Sequence, residues 1–480
     1  MASSPNATHG QQEGEPLSTL QADGQRRWLY PTLDHGRLRK ARMVVGWALI
    51  ALFVALPLVE IGGRPAVLLD IYQWRFHLFG MTFHPTDTIF VMLLLLTGLL
   101  GVGFLTALLG RVWCGWGCPQ TVYMEFVYRP IERWIEGSAV ERKRLDERDW
   151  DGDKFVKKSL KYAAYLVVTL AIAHTFVAYF VGWERLSGWM TESPTDHFGV
   201  FVMMAGTSAL MLFDFGWFRE QMCVTVCPYA KLQSVLLDED SLIVSYDPNR
   251  GEPRGRRNRD QMQKEQQGVE LDLGDCIDCG ACVRTCPTGI DIREGLQMEC
   301  VNCTACIDAC NDVMRRIDKP EGLIRFTSER AIEEGETNVV RPRVVIYGLL
   351  LALVVGIFGY MLATLPSVEA DARLASGNAY KILESEGNPV ANQVSVSIRN
   401  RTDRSGTYRV SVTSPEGASF RGQSNVDVRP GEFQRTQGWV LAPQSGFSAT
   451  GESEAKVDIQ KDGKTVASTT VNLLGPRRVE

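Results

Sequence analysis

The chain has 480 residues, a formal net charge of −5 and 45% hydrophobic residues. At about 100–200 residues per domain it holds several modules, and its mild acidity excludes nucleic acid as a partner, since no basic excess is left to meet a phosphate backbone. A mean hydropathy near zero conceals a mosaic of very apolar runs and strongly charged loops, so membrane lipid is expected around part of the chain.

Residues 1–42 form a polar segment that turns basic at its end, with Arg26, Arg27, Arg37, Arg39, Lys40 and Arg42. The first apolar run begins near Met43. It lies too far in, and lacks the small-residue cleavage pattern, for a signal peptide, so it reads as a first membrane helix. Five runs, at about 43–60, 87–109, 160–182, 198–218 and 343–365, approach the roughly 20 apolar residues that cross a bilayer. The first is short and holds Pro57. Loop 110–159 carries ten basic residues, whereas loop 61–86 has only Arg64 and Arg75 and loop 183–197 only Arg185. That alternation places the N-terminus in the cytoplasm and the C-terminus outside.

Polar residues at membrane depth are costly and mark functional sites by default. Here they are Asp87, His174 and Asp214. His77, Met81 and His84 fall near the outer boundary, and Met222 stands beside Cys223. Histidine and methionine suit copper, although packing is the commoner role for His77, Met81 and His84.

Two matching cysteine pairs follow two pairs of membrane helices. "RVWCGWGCPQTVY" contains Cys114, Cys118 and Pro119, and "REQMCVTVCPYAKLQ" contains Cys223, Cys227 and Pro228. Residues 43–235 therefore read as a membrane domain with a tandem repeat, and repeats of this kind hold a functional site between them. Proline makes the preceding residue extended and itself opens a helix, so each C-x3-C-P is expected as a turn before a surface helix. Thiolates select Cu(I), zinc or iron–sulfur groups, and a thiol pair also cycles to a disulfide. Simple packing at a membrane boundary is the bland alternative, weakened by the repetition.

Residues 236–330 contain a basic linker, "RGEPRGRRNRDQMQKEQQG" at 250–268, and eight closely spaced cysteines. The linker suits anionic headgroups or a docked electron donor, though a solvated linker obeying the charge bias explains it more simply. Cys276, Cys279, Cys282 and Cys286 followed by Pro287 make C-x2-C-x2-C-x3-C-P, and Cys300, Cys303, Cys306 and Cys310 repeat it with Asn311 after them. This is the bacterial dicluster ferredoxin run, in which the fourth cysteine of each run serves the other cluster. One [4Fe–4S] cluster is thus assigned to Cys276, Cys279, Cys282 and Cys310, the other to Cys300, Cys303, Cys306 and Cys286. Zinc sites space their pairs further apart. All twelve cysteines lie between 114 and 310, on the side expected to be reducing, so structural disulfides are not expected.

Residues 367–480 alternate apolar and polar positions in "QVSVSIRN", "GTYRVSVT", "AKVDIQ" and "TVASTTVNLL". Short strands punctuated by Gly, Pro, Asn and Asp predict an antiparallel immunoglobulin-like β-sandwich. The fold class is therefore a multi-domain chain. An α-helical membrane bundle carries an inserted ferredoxin domain and, after the 343–365 helix, the sandwich.

Taken together, the helices, "WCGWGCP", "REQMCVTVCPYAKLQ", the ferredoxin runs and the tail resemble the FixG/CcoG/RdxA family of cbb3-type cytochrome c oxidase accessory proteins, from about residue 28 to the end. The resemblance implies a protein of the bacterial inner membrane that reduces Cu(II) to Cu(I) in the cytoplasm, with Cys114, Cys118, Cys223 and Cys227 handling copper. Its implied partners are a copper chaperone or exporter and the oxidase assembly machinery. The electron donor is open between a reductase and a quinol, since no dinucleotide-binding glycine motif is present. A homodimer is allowed and not demanded. Membrane quinol dehydrogenases of the NapH and NosR type share C-x3-C-P pairs and ferredoxin runs, and in that alternative His174 and Asp214 line a quinol site. A non-catalytic assembly scaffold is the third reading.

Overall fold

The computed structural model describes residues 19, 25–61, 65–71, 75–83, 87–257, 261, 272–336, 338–375, 380–384, 388–402 and 404–477. His84 and most of the second half of the 250–268 linker lie outside them. The chain divides into two compact units, Met1–Leu58 with Thr88–Ile357, and Val59–Asp87 with Phe358–Glu480.

The first unit is built on long apolar helices. Thr88–Leu109, Gly152–Val181, Phe198–Phe218 and Pro342–Ala363 are each long and apolar enough to cross a membrane. Their exposed faces carry Leu, Val, Phe and Met, such as Leu95, Val167, Leu210 and Leu349, as a lipid-facing surface requires. The Gly152–Val181 helix starts where the Asp151 side chain accepts from the Lys154 amide at 2.8 Å and stops at Gly182, whose φ of 89° only glycine adopts freely. The expected first span departs from this pattern. It is the Arg37–Ala55 helix, whose first turn is basic and whose apolar part runs only from Met43 to Ala55 before the turn at Leu56–Leu58. It falls short of the other four by composition, not by helicity.

The ferredoxin segment sits in this unit. Ile243–Tyr246 pairs antiparallel with Ile324–Thr327, and the helices Ala281–Thr285 and Ala305–Arg316 lie between those strands in sequence. Val244, Tyr246, Ile290, Ile292, Ile307, Met314, Leu323 and Ile324 form its core together with Cys276, Cys282 and Cys300.

The second unit contains the sandwich. One sheet orders Ser419–Gly422, Phe433–Ala442, Val390–Asn400 and Val368–Leu374, with Lys381–Ile382 also pairing with Val390–Asn400. The other orders Asn425–Val428, Gly406–Ser414, Glu452–Lys461 and Lys464–Leu474, all antiparallel. Inward residues such as Val394, Val396, Ile398, Tyr408, Val457, Ile459 and Leu473 are buried. Every expected strand is present. The same unit holds a three-stranded antiparallel sheet of Val67–Asp70, Arg75–Leu78 and Met81–Phe83.

That unit settles several residues singled out as costly or copper-suited. Asp87 accepts two hydrogen bonds from Arg401, at 2.7 and 3.0 Å, so its charge is answered by a structural ion pair. His77 is buried and bonds the Thr82 hydroxyl through Nδ1 at 2.9 Å, while Met81 is exposed at a strand end. Neither is brought to a thiol.

Candidate metal centre

Both C-x3-C-P segments adopt one geometry. Cys118 and Cys227 are extended, with ψ of 126° and 112°, and Pro119 and Pro228 open the helices Pro119–Tyr123 and Pro228–Leu236. The amides of Cys118 and Cys227 each bond a carbonyl five residues back, Trp113 at 2.8 Å and Met222 at 2.9 Å. Cys114 lies in the short helix Val112–Trp116, and Cys223 in a π-helical turn, Met222–Val226. Met222 only opens that turn. The proline rule and the repeat thus deliver two matching thiol turns.

The turns face each other. Besides burial, which pushes all three up, the charges of Cys118 and Cys227 act on the Cys114 thiol, that of Cys227 acts on Cys118, and those of Cys118, Cys114 and Cys227 act on Cys223. Cys114 is pushed up to about 12. Uncompensated thiolates are therefore unfavourable here, and a soft cation is the partner that makes them favourable. Cys114 donates to the Gln233 side-chain oxygen at 3.4 Å, and Gln233 is wholly buried. Among the described residues no three His, Cys, Asp or Glu side chains converge as ligands of a single ion.

The first turn rests on the ferredoxin segment. A Cβ on Gly115 would lie 2.6 Å from the Val301 carbonyl oxygen and 2.8 Å from that of Asn302, so only glycine lets the two backbones meet. Arg111 fastens the contact. Its guanidinium is buried and donates to the carbonyls of Met298, of Cys300 at 3.3 Å and of Ala230 at 3.1 Å. It thereby ties the cluster loop to both thiol turns. Arg42 donates to the Gly115 carbonyl at 3.2 Å, and its charge favours the thiolate of Cys303. Sequence reasoning counted Arg111 and Arg42 only as positive-inside charges. Their one distinguishing signal was position, Arg111 three residues before Cys114.

The two ferredoxin loops are near copies. Asp278 and Asn302 both have φ of 50°, and Gly280 and Thr304 have φ of 65° and 63°. These left-handed residues wrap backbone amides inward before each helix begins. One small cavity is lined by Cys282, Cys286, Cys300, Cys303 and Cys306, another by Cys276, Cys279, Cys282 and Cys310. Each cavity brings the fourth cysteine of one run to the first three of the other, and Cys282 lines both. Burial pushes Cys282 and Cys300 up to about 11 and Cys303 and Cys310 up to about 12. Buried and half-buried thiols around small voids fit iron–sulfur groups, whose irons each take one thiolate.

A buried charge network braces the site. Glu132 accepts from Arg219 at 2.7 Å and from Arg142 at 2.7 Å. Burial opposes its charge, but Arg219 and Arg142 hold its carboxyl well below the usual range. Arg129 donates to the Pro287 carbonyl at 3.3 Å, beside Cys286. Gln120, next to Pro119, donates to Asp214 at 3.1 Å and to the Arg219 carbonyl at 3.1 Å. Asp214 is thus joined to the thiol turn. His174 is not joined to it; it is spent on the Leu170 carbonyl, 2.6 Å from its Nδ1 on an exposed face.

Three family models match the chain: a 4Fe-4S dicluster domain at residues 218–329, a 4Fe-4S binding domain at 90–137, and the IG-like fold at the C-terminal of FixG at 358–476. Protein RdxA of Cereibacter sphaeroides is 33% identical over 88% of this chain and 91% of its own length. Protein RdxB of the same organism is 34% identical over 80% and 82%. Nitrogen fixation protein FixG of Rhizobium meliloti is 29% identical over 98% of both chains.

Proposed function

The chain belongs to the RdxA/FixG family of iron–sulfur membrane proteins, and from that premise we propose that it reduces Cu(II) to Cu(I) and supplies the reduced ion for assembly of a cbb3-type oxidase. The observation that carries this reading is the pair of neighbouring C-x3-C-P turns, joined by the Cys114–Gln233 contact, with the first turn seated on the ferredoxin loop through Gly115 against Val301 and Asn302. Cys114, Cys118, Cys223 and Cys227 bind copper in it, and Cys276, Cys279, Cys282 and Cys310, with Cys300, Cys303, Cys306 and Cys286, hold two [4Fe–4S] groups.

When bound, those groups supply single electrons, which is what each cupric ion needs. The chain does the rest. Cys114, Cys118 and Cys223 give up protons only as copper arrives, because burial holds them neutral otherwise. Thiolates favour Cu(I) over Cu(II), which raises the effective potential of the couple. Arg111 and Arg42, buried beside the turn and the cluster loop, offset the negative charge that thiolates and added electrons bring. Copper binding and release at a half-buried site suits substrate better than a closed structural metal.

The orientation we infer keeps residues 1–42 and the ferredoxin segment in the cytoplasm and the sandwich outside. The basic start of the Arg37–Ala55 helix then lies at the cytoplasmic surface. FixG's name ties that relative to nitrogen fixation.

Anaerobic protein reduced with dithionite, freed of excess and given Cu(II) tests the reading. Wild type is expected to yield Cu(I) to a chelator. A C114S/C118S/C223S/C227S variant with full iron and sulfide content is expected to lose the activity. Equal yields from both would sink the assignment of the four thiols.

A further inference from the structure

The membrane helices enclose a cavity of about 470 Å³, within the roughly 300–1,000 Å³ of small-ligand sites. Its walls come from the Arg37–Ala55, Pro119–Tyr123, Gly152–Val181 and Phe198–Phe213 helices. Phe53, Tyr123, Phe176 and Phe215 supply four aromatic rings. Leu210, 68% exposed, opens it toward the lipid-facing surface. Gly117 and Pro119, which flank Cys118, form the wall nearest the thiol turn, with Gln120 beside them.

Tyr123 is the anomaly in this wall. It is only 8% exposed, and its ring meets Phe53 and Phe215 edge-on at 6.3 and 6.2 Å. Its hydroxyl has no hydrogen-bond partner among the described residues. The tyrosines around it are all satisfied. Tyr128 bonds Thr169 at 2.8 Å, Tyr165 donates to the Tyr128 carbonyl at 3.5 Å, and Tyr179 donates to the Phe53 carbonyl at 2.7 Å. The hydroxyl is not enclosed by protein, and its residue lines the cavity, where an acceptor on a bound molecule would complete it. An acyl chain offers no acceptor. A flat ring bearing oxygens, with an apolar tail to leave through the lipid-facing opening, offers both the acceptor and the stacking surface.

We propose that this cavity binds the head ring of a lipid-soluble quinol, with the Tyr123 hydroxyl donating to a ring oxygen, and that the quinol is the electron donor. The inference rests on the copper reading for its acceptor. The balance is one quinol and two Cu(II) giving one quinone, two Cu(I) and two protons. The quinol's two O–H bonds break and its two C–O bonds become the two ring C=O bonds of the quinone. Each cupric ion takes one electron. The protons leave by way of Asp214, the carboxylate Gln120 holds at 3.1 Å, to water.

Binding of decyl-ubiquinone to the full chain in lipid nanodiscs, read by quenching of intrinsic fluorescence, tests the site without copper. The expected result is saturable binding of one quinone per chain. Tyr123→Phe is expected to weaken it about 10-fold, and Met211→Trp, which fills the cavity, to abolish it. No saturable binding, or Tyr123→Phe and Met211→Trp proteins that bind like wild type, overturns the site and leaves a lipid tail as its occupant. The two readings separate cleanly. Copper reduction driven by dithionite but never by decyl-ubiquinol overturns this donor alone. Quinone binding with no Cu(I) from any reductant overturns the copper reading and leaves the cavity assignment standing.

Discussion

Arg111 shows what a single buried cation does here. No carboxylate pairs with it among the described residues; its guanidinium is answered by carbonyls of Met298, Cys300 and Ala230. Arg111→Gln is expected to leave those carbonyls short of donors, costing about 3 kcal/mol in a melt followed by cluster absorbance. It should also lower the midpoint potential of one iron–sulfur group in an EPR-monitored titration. Gly115→Ala sets a methyl 2.6 Å from the Val301 oxygen; iron and sulfide content should hold while Cu(II) reduction falls at least 10-fold. Glu132 gives the pH sign. Its folded pKa is depressed by Arg219 and Arg142, so its contribution is full at neutral pH and is lost as pH falls below the usual carboxylate range toward the folded value. Glu132→Gln should cost about 3–5 kcal/mol at pH 7, and the gap from wild type should narrow on acidification. The cysteines were legible because their spacing is their chemistry. Arg111, Gly115 and Tyr123 were not, because what marks them is a contact between segments more than a hundred residues apart, or a missing one.

Among the elements, period and punctuation carried most of the reading. The alternation in Val390–Asn400 and Gly406–Ser414 put valines inward at every second position, and Pro119 and Pro228 set both thiol turns. The Val67–Phe83 sheet was missed. Its strands are three or four residues long, and the Leu78–Met81 hairpin turns through Phe79 and Gly80 with φ of 48° and 84°, a tight turn without the usual Asn-Gly signal. The Arg37–Ala55 helix was overextended because Leu56–Val59 continues its apolar run past the point where the backbone turns. Asp87 was read as a costly charge in lipid, and Arg401, over three hundred residues away, is its partner. Arg401→Ala should destabilise the sandwich unit by about 3–5 kcal/mol, read as an earlier melting transition.

For the whole molecule, the two units divide labour as the cysteines do. All twelve thiols lie in the first unit, and the second carries none. The proposed orientation makes a concrete prediction: protease added to intact spheroplasts should remove the sandwich and spare the 250–268 linker, and the reverse pattern would contradict it. The central claim is that electrons held by this protein reach copper through the four facing thiols. Fully reduced protein mixed anaerobically with one equivalent of Cu(II) and followed by rapid-freeze EPR tests it most directly. The account predicts that the cupric signal and one reduced iron–sulfur signal disappear together, one for one. It also predicts that both signals persist in the C114S/C118S/C223S/C227S variant. A cupric signal that survives in wild type, or is lost equally fast in the variant, would contradict the account.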